Sequence, residues 1–195
     1  MAYSMTPWGY EVDGDVAPII TPSQFNDMTG NRWANDERAD AAIAAASAAV
    51  RNSCGWHVSP AMSCRATLDM DGGASLWLPT SCLNSVTSLT VGGSEVEAYQ
   101  WSRIGQILPD DRIPAGLQAA TVEYVAGMDA PGDIAAMVAG IASRALAISP
   151  GVTSETAGGV SVSFASSLSM VAYASLTDAD RDALAAYRVV RSHAA

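Results

Sequence analysis

Three cysteines and a histidine lie close enough in the sequence to suggest a metal site. Two residues separate Cys54 from His57, Cys64 follows, and Cys82 could supply a fourth ligand. Thiolate and imidazole groups suit zinc, but the paired Cys-x-x-Cys knuckle of structural zinc sites is missing. Buried small thiols and a histidine just past a helix end account for the same residues. The sequence therefore predicts no bound metal.

Paired carboxylates give no catalytic set either. Asp69 with Asp71 and Asp110 with Asp111 lie beside glycine or proline, in turns where aspartate is favoured for backbone reasons. General acid–base catalysis needs burial to shift the pKa of a carboxyl group, and turns are exposed. The sequence contains no nucleophile elbow, phosphate-binding loop, dinucleotide fingerprint or zinc-protease motif. We therefore expect a protein that is not an enzyme and has no cofactor.

The charge balance excludes nucleic-acid binding as the main activity. The formal net charge is -10, from 20 Asp+Glu against 10 Lys+Arg, and every one of these cations is an arginine. Binding to a phosphate backbone needs clustered cations, and the arginines form no basic run. An odd number of cysteines is not a disulfide framework and favours a reducing compartment. The absence of an export or membrane signal predicts a soluble cytosolic chain.

Two helices are predicted in the first part of the chain. Thr21 can cap the first helix, Gln24 completes a capping box, and Gly30 ends it. Asn35 caps a longer helix over 35–54. A narrow stripe of small apolar residues runs along that helix and comprises Ile43, Ala46, Val50 and Cys54. Such a stripe permits close helix packing, and we expect Ala46 to face the helix predicted after residue 130.

The region 64–127 changes to the alternation typical of strands. Strands are predicted at 64–70, 76–78, 86–91, 99–108 and 119–126. Turns are expected at Gly72–Gly73, at Gly92–Gly93 and at the Pro/Asp-rich residues 109–114. This pattern predicts a small antiparallel sheet inserted between helices.

The periodicity of apolar residues typical of a helix returns after this sheet and is lost again in the following segment. A helix is predicted over 131–149, a mobile loop with a short strand over 150–175, and a terminal helix over 177–191. Residues 1–20 show no periodicity and are predicted to form an extended arm, with Trp8 and Tyr10 as anchors on another surface or as part of a disordered terminus.

These elements define the expected architecture. The fold class is α+β, a small helical bundle with an inserted antiparallel β-rich region and a long C-terminal loop plus a terminal helix. The arm at 1–20 precedes one domain over 21–195, whose first helices occupy 21–60.

An ordered series of short motifs resembles the bacteriophage head-tail connector proteins, also called adaptor or head-completion proteins. The series covers roughly 21–190 and includes Ser23-Gln24-Phe25-x-x-Met28-Thr29-Gly30, Cys54-Gly55-Trp56-His57-Val58-x-Pro60, Leu76-x-Leu78-Pro79, Thr121-Val122-x-Tyr124-x-x-Gly127, Ser154-Glu155-x-x-Gly158-Gly159-Val160 and Leu184-x-x-Tyr187-Arg188. The N-terminal arm has no counterpart in many relatives.

The resemblance implies a structural protein of the virion neck. Such adaptors assemble in the host cytoplasm as a ring, usually a dodecamer, beneath the portal protein. They then carry the stopper or tail-completion protein and connect the DNA-filled capsid to the tail. DNA only passes through the lumen, where negative charge would prevent adhesion, and no membrane is involved.

Two segments are the candidate partner-binding sites. A strand carrying Val160, Val162 and Phe164 would pair with the edge of a neighbouring subunit, because an isolated short strand is unstable. The alternative is a local hairpin packed on its own subunit, since strands often pair with their sequence neighbours. The terminal helix would dock on the portal, since aromatic and arginine clusters are enriched at interaction hot spots. Its candidate residues are Arg181, Tyr187, Arg188 and Arg191.

Two alternatives remain open at this stage. One is a different neck or tail-completion protein, which would be equally acidic and equally poor in catalytic motifs. The other is a small metal- or thiol-dependent enzyme that uses Cys54, His57 and Cys64.

Overall fold

The computed structural model describes residues 2–129, 131–148, 154–157, 160–163 and 174–189. The described strands are β1 Tyr3–Met5, β2 Glu11–Asp13, β3 Met62–Met70, β4 Leu76–Trp77, β5 Leu83–Val91, β6 Ser94–Glu95, β7 Tyr99–Trp101, β8 Gln106–Pro109, β9 Gly116–Ala126, β10 Ser154–Ala157 and β11 Val160–Ser163. The described α-helices are α1 Pro22–Met28, α2 Ala39–Cys54, α3 Gly132–Ala147 and α4 Asp178–Ala183, and a 3-10 helix follows at Leu184–Tyr187.

The chain divides into two compact units. The first comprises residues 1–17, 51–129 and 184–195, and the second comprises residues 18–50 and 130–183. All strands from β1 to β9 belong to the first unit, together with the last turn of α2 and the 3-10 helix. The second unit holds α1, most of α2, α3, the β10–β11 hairpin and α4.

A six-stranded antiparallel sheet dominates the first unit. Its strand order is β1-β2-β3-β9-β5-β6. This arrangement corrects the expected fold class: the described part of the chain is mostly antiparallel sheet with four short helices, and is not a helical bundle with an inserted β region. The expectation was wrong because strands of two or three residues, such as β1, β2 and β6, are too short to show an alternating pattern in the sequence.

The centre of this sheet is the long β3–β9–β5 ladder. Alternate residues of β9 are buried, as period-two alternation requires. Cys64 of β3 lies opposite Tyr124 of β9, which in turn lies opposite Val86 of β5. Because the side chains of directly opposed residues share one face of a sheet, the buried thiol and the buried phenol are neighbours in the core.

The N-terminal residues, predicted to form an extended arm, pair within the sheet. β1 and β2 form a hairpin, and β2 pairs with β3 through Glu11 and Val12. Tyr10 is 1% exposed, so it is an anchor within its own unit and not on another molecule. The guanidinium of Arg65 on β3 lies 4.2 Å from the ring centre of Tyr3 and forms a salt bridge of 2.7 Å with Glu123.

A second, three-stranded sheet completes the first unit, in the order β4-β8-β7. The residues predicted as one strand over 99–108 form two strands, β7 and β8, that pair with each other around a turn at 102–105. Gly105 in this turn has a φ of +90°, and a Cβ there would lie 2.9 Å from the carbonyl oxygen of Thr80. Only glycine fits this position without strain.

The helix starts of the second unit largely follow the sequence signals. Thr21 accepts a hydrogen bond from the Gln24 amide at 3.2 Å while the Gln24 side chain accepts one from the Thr21 amide at 2.8 Å, so the predicted capping box is confirmed. Pro131 immediately precedes α3, in agreement with the expected start. Thr177 caps α4, and its hydroxyl accepts from the Asp180 amide at 3.2 Å.

The start of α2 and the length of the terminal helix differ from expectation. Asn35 does not cap the long helix, which begins at Ala39; the side chain of Asp36 instead accepts from the Arg38 amide at 2.9 Å. The Arg38 guanidinium bonds to Asp36 and to the carbonyl oxygens of Leu146 and Ile148. These bonds also bring the start of α2 to the end of α3. The terminal helix predicted over 177–191 contains only the six residues of α4 before it narrows to the 3-10 helix.

Ala46 is completely buried, and so are Val138 and Ile141 of α3 in the same unit. The specific seam expected between these helices stays a prediction. Within the described residues, no helix combines the length and the apolar character that crossing a membrane requires.

Candidate functional site

The most elaborate polar arrangement lies where α2 ends and the chain turns into β3. His57 has no exposed surface, and its ring and backbone both bond to the phenol of Tyr10. The Tyr10 oxygen lies 2.7 Å from His57 Nδ1 and 2.9 Å from the His57 amide nitrogen, and Nε2 of the same ring lies 2.9 Å from the carbonyl oxygen of Ala126. One imidazole therefore ties together the N-terminal hairpin, the end of α2 and the end of β9.

The partners of His57 fix its protonation state. A carbonyl oxygen can only accept, so Nε2 carries the proton and donates it to Ala126. Nδ1 is then the acceptor, and the Tyr10 hydroxyl donates to it while accepting from the His57 amide. Burial lowers the pKa of His57 to about 4, and burial likewise raises the pKa of Tyr10. Both groups are neutral near neutral pH.

Arg51, in the last turn of α2, holds the same turn from the other side. Its guanidinium donates to the carbonyl oxygens of His57 at 2.8 Å, Ala17 at 2.6 Å and Ser59 at 2.6 Å. The residue is 5% exposed, and burial lowers its pKa to about 10. Three carbonyl groups replace the water that this cation loses, so the arginine acts as a clamp on the connection between α2 and β3.

The clamped connection contains a strained residue. Val58 has a φ of +64°, which is unfavourable for a β-branched side chain, and it is fully buried. The amide of Met128 donates to the Val58 carbonyl oxygen at 2.8 Å, and the amide of Ser59 donates to that of His57 at 2.7 Å. Such strain persists only where the surroundings enforce it, and here they are the bonds around His57.

The same geometry gives no support to a metal or thiol centre. Both ring nitrogens of His57 are already engaged, one by a phenol and one by a carbonyl oxygen. Burial raises the pKa of the Cys54 thiol to about 11 and that of Cys64 to about 12, so both are protonated thiols rather than thiolates. Within the described ranges, no group of three or more His, Cys, Asp and Glu side chains could hold a metal ion. Cys82 is a third buried thiol.

Tyr124 differs from its neighbour Tyr10 in one respect. The two rings lie 6.5 Å apart, centre to centre, and both residues are 1% exposed. The Tyr124 hydroxyl, however, has no hydrogen-bond partner among the described residues, and burial raises its pKa well above the ordinary value. Of these two buried phenols, that of Tyr10 forms two hydrogen bonds and that of Tyr124 forms none with the described residues.

The residues around Tyr187, here named the C-terminal segment (184–189), pack on the same connection. The indole nitrogen of Trp56 donates to the Tyr187 carbonyl oxygen at 2.7 Å, and the Val189 amide donates to that of Cys54 at 3.1 Å. Leu184 and Trp56 are both fully buried. Two motifs that are 131 residues apart in the sequence are thus joined within one unit.

The candidate partner-binding residues fall into separate places. Tyr187 is half-buried in the C-terminal segment, and the exposed Arg188 lies with its guanidinium 3.4 Å from the Ser53 hydroxyl. Arg181 belongs to α4 in the second unit and forms a salt bridge of 2.8 Å with Asp178.

The strand predicted to pair with a neighbouring subunit is already paired. β11, which contains Val160 and Val162, forms an antiparallel hairpin with β10, as the alternative of a local hairpin required, and pairing with a neighbouring subunit stays a prediction. Ser154–Ala157 supplied too little apolar pattern to identify the partner strand. Phe164 and Arg191 lie outside the described residues, as does most of the loop predicted over 150–175.

Sequence reasoning missed one surface feature, the hairpin formed by β7 and β8. It exposes Trp101, Ile104 and Leu108, which are 43%, 58% and 42% accessible. The segment between Tyr99 and Pro109 contains a single charged residue, Arg103, in an otherwise strongly acidic chain. That local lack of carboxylates was the signal available in the sequence.

Comparison with protein-family models gives no match, and no curated protein matches the chain.

Proposed function

We propose that this protein is a structural head-to-tail adaptor of a bacteriophage neck, which forms a ring under the portal protein. The proposal begins with the ordered motif series in the sequence. Its support in the structure is the bond between Trp56 and Tyr187, because residues from two distant motifs of that series belong to one packed unit. This contact is the observation on which the proposal chiefly depends.

The chemistry of the buried groups favours a scaffold. A neutral histidine with both nitrogens engaged, two protonated thiols and an arginine bound to carbonyl oxygens hold segments together. The hydroxyl of Tyr10 does lie beside the His57 imidazole, but both residues are fully buried, so this pair is not the accessible nucleophile with an adjacent base that covalent catalysis needs. The acidic balance of the chain suits the wall of a channel through which DNA passes without adhering.

Direct capture by the portal protein tests the proposal and separates it from its nearest alternative. The chain is produced together with the portal protein of the phage that encodes it, with no other neck protein present. An adaptor co-purifies with the portal as a ring that native mass spectrometry resolves. A stopper or tail-completion protein binds only after another neck protein is added, and that result would contradict an adaptor role.

A knockout in the phage gives the matching result in particles. Without an adaptor, DNA-filled heads and separate tails should accumulate, and supplying the protein in trans should restore tailed virions. Normal tailed particles in its absence would reject the neck assignment. Metal analysis of the purified chain tests the enzyme alternative, since a structural zinc ion would co-purify stoichiometrically.

The C-terminal segment is the part that we propose for portal contact, with Arg188 as its exposed cation. Deleting the segment would not test this, because Leu184 and the Tyr187 carbonyl belong to the core of the unit. Arg188→Glu is the better variant, with Arg32→Glu on another exposed loop as the matched control. Equal portal capture by both variants would show that Arg188 does not contact the portal.

A further inference from the structure

The exposed hairpin β7–β8 is a rigid feature and not a loose loop. The amide of Leu83 donates to the Arg103 carbonyl oxygen at 2.7 Å, and the amide of Leu78 donates to that of Gly105 at 2.8 Å. These bonds fix both sides of the turn against the chain that follows β4. Trp101 and Ile104 are therefore held at the surface by a preorganised backbone, which reduces the entropy lost when such side chains enter an interface.

The tip of the hairpin is the one part of this surface with a positive character. Arg103 lies between Trp101 and Ile104, and among the described residues its guanidinium contacts only the Cys82 sulfur, at 3.9 Å, with no salt bridge. We name Trp101, Arg103 and Ile104 the hairpin tip. An exposed Trp beside an uncompensated arginine combines the two residue types most enriched at interaction hot spots.

A groove with complementary properties lies at the base of the same hairpin. It measures about 450 Å³ and is lined by apolar and charged residues, namely Val91, Glu95, Val96, Glu97, Ala98, Pro109, Asp111, Arg112 and Ile113. The lining thus includes three carboxylates and a single guanidinium, that of Arg112, which donates to the Gly72 carbonyl oxygen at 2.9 Å. The groove, here named the base groove, thus combines apolar residues with an excess of carboxylates.

The tip cannot fill the base groove of its own chain. The last residue pair before the turn is Trp101 with Ile107, and the pair next to the groove is Tyr99 with Pro109. At about 3.3 Å per residue, these two pairs lie roughly 7 Å apart along the rigid hairpin, and the turn that carries Arg103 and Ile104 lies beyond the Trp101 pair. Any molecule that joins the two must be a second one.

We propose that the hairpin tip of one copy enters the base groove of the next copy, in a head-to-tail contact that repeats around the neck ring. Charge complementarity favours a second copy of this chain as the molecule that fills the groove. Two chains of net charge -10 repel over most of their surfaces. The tip and the base groove provide the apolar surface and the opposite charges that such a pair needs, and head-to-tail contacts of this kind close into rings.

The size of the contact agrees with assembly on a template. A single hairpin tip buries far less than the roughly 1,200 Å² of a stable interface, so it binds weakly on its own. Subunits held side by side by the portal would make the contact at high effective concentration. This inference rests on the proposed function, because the portal is what brings the copies together.

Engineered cysteines test the contact directly. A chain with both Ile104→Cys and Ala98→Cys, oxidised at high protein concentration, should give a covalent ladder of dimers, trimers and higher species. Each single variant alone should stay monomeric, and an equal mixture of the two should stop at dimers. The native cysteines are buried, so the unmodified chain is the control for background oxidation. Both positions are exposed, and unchanged melting temperatures should show intact folding.

The other outcomes overturn the proposal. Disulfide dimers of the Ile104→Cys variant alone would indicate a symmetrical tip-to-tip contact. A double variant that forms no ladder, either free or on the portal, would show that the tip and groove do not meet. Cross-links from the thiol of the Ile104→Cys variant to the portal, rather than to another copy, would identify the portal as the occupant.

Charge exchange supplies the second test and separates this contact from the adaptor role. Arg103→Glu should reduce the ladder on the order of tenfold, and Glu97→Arg in the same chain should restore it. If the ladder forms as expected but the portal does not capture the chain, the adaptor proposal fails and the contact stands. If the portal captures a ring without the ladder, the contact fails and the adaptor proposal stands.

Discussion

Replacing Tyr10 with phenylalanine should destabilise the first unit, although it removes one oxygen atom and leaves the ring in place. That oxygen donates to His57 Nδ1 and accepts from the His57 amide, at 2.7 and 2.9 Å. The variant leaves both groups buried without partners. Each such group costs about 1–3 kcal/mol, so we expect a loss of roughly 2–6 kcal/mol in the free energy of unfolding.

Tyr124→Phe is the matched control for this variant. The second tyrosine is equally buried and lies against the first, but its hydroxyl bonds to none of the described residues. Removing a buried hydroxyl without a partner relieves a desolvation cost instead of creating one. The free energy of unfolding should therefore stay within about 0.5 kcal/mol of the unmodified value, or increase.

The pH dependence of stability gives an independent check on His57. Its pKa in the folded protein is about 4, below the ordinary value of 6.5 for a free imidazole. Between about pH 4 and pH 6.5, the unfolded chain therefore binds a proton at His57 that the folded chain does not bind, so acid favours unfolding. The contribution of His57 is complete above about pH 6.5 and is lost as the pH falls towards 4, with a total of roughly 3 kcal/mol.

Urea unfolding followed by circular dichroism, at about pH 7 and about pH 5, measures both effects. Between the two pH values, the free energy of unfolding of Tyr10→Phe should fall less than that of the unmodified chain. In the unmodified chain, a proton that binds to Nδ1 must displace the hydrogen bond donated by the Tyr10 hydroxyl, whereas the variant has no such hydrogen bond to lose. Equal destabilisation by Tyr10→Phe and Tyr124→Phe would refute the assigned hydrogen bonds. A slope unchanged by Tyr10→Phe would show that burial, rather than the Tyr10 hydroxyl, sets the pKa of His57.

Three further substitutions test other parts of the structure. Gly127→Ala should lower the free energy of unfolding by about 3 kcal/mol or more, measured by thermal unfolding, because a Cβ at this φ of +122° overlaps the carbonyl oxygen of a neighbouring loop. Gly92→Ala is the control: a Cβ there has no atom within 4 Å, so the loss should be only about 1 kcal/mol. Trp56→Phe removes the donor to the C-terminal segment, so hydrogen exchange of that segment should accelerate at least tenfold, and unchanged exchange would contradict the contact. Ala46→Leu should overpack a fully buried position and cost about 1–3 kcal/mol, while Ala48→Leu on the exposed face should leave the melting temperature nearly unchanged.

Sequence patterns predicted the features that depend on a few neighbouring residues. The capping box at Thr21 and the end of α2 at residue 54, next to Gly55 with its positive φ, both require atoms within about one helical turn of each other. The alternating residues of β3 and of the second half of β9 were also recognisable in the sequence, because alternate residues there are buried. These features depend on interactions between residues that are close together in the sequence, so the sequence alone reveals them.

The tertiary structure decided the features that join distant residues. Nothing near Tyr10 indicates that its hydroxyl will bond to an imidazole 47 positions later, or that the strands beside it will extend a sheet. Nothing near Arg38 indicates that its guanidinium will bond to the carbonyl oxygens of Leu146 and Ile148, more than a hundred residues away. Sequence alone identified the longer helices and strands, whereas pairing and burial against distant partners determined the short strands and the core, because hydrogen bonds and packing depend on proximity in space rather than along the chain.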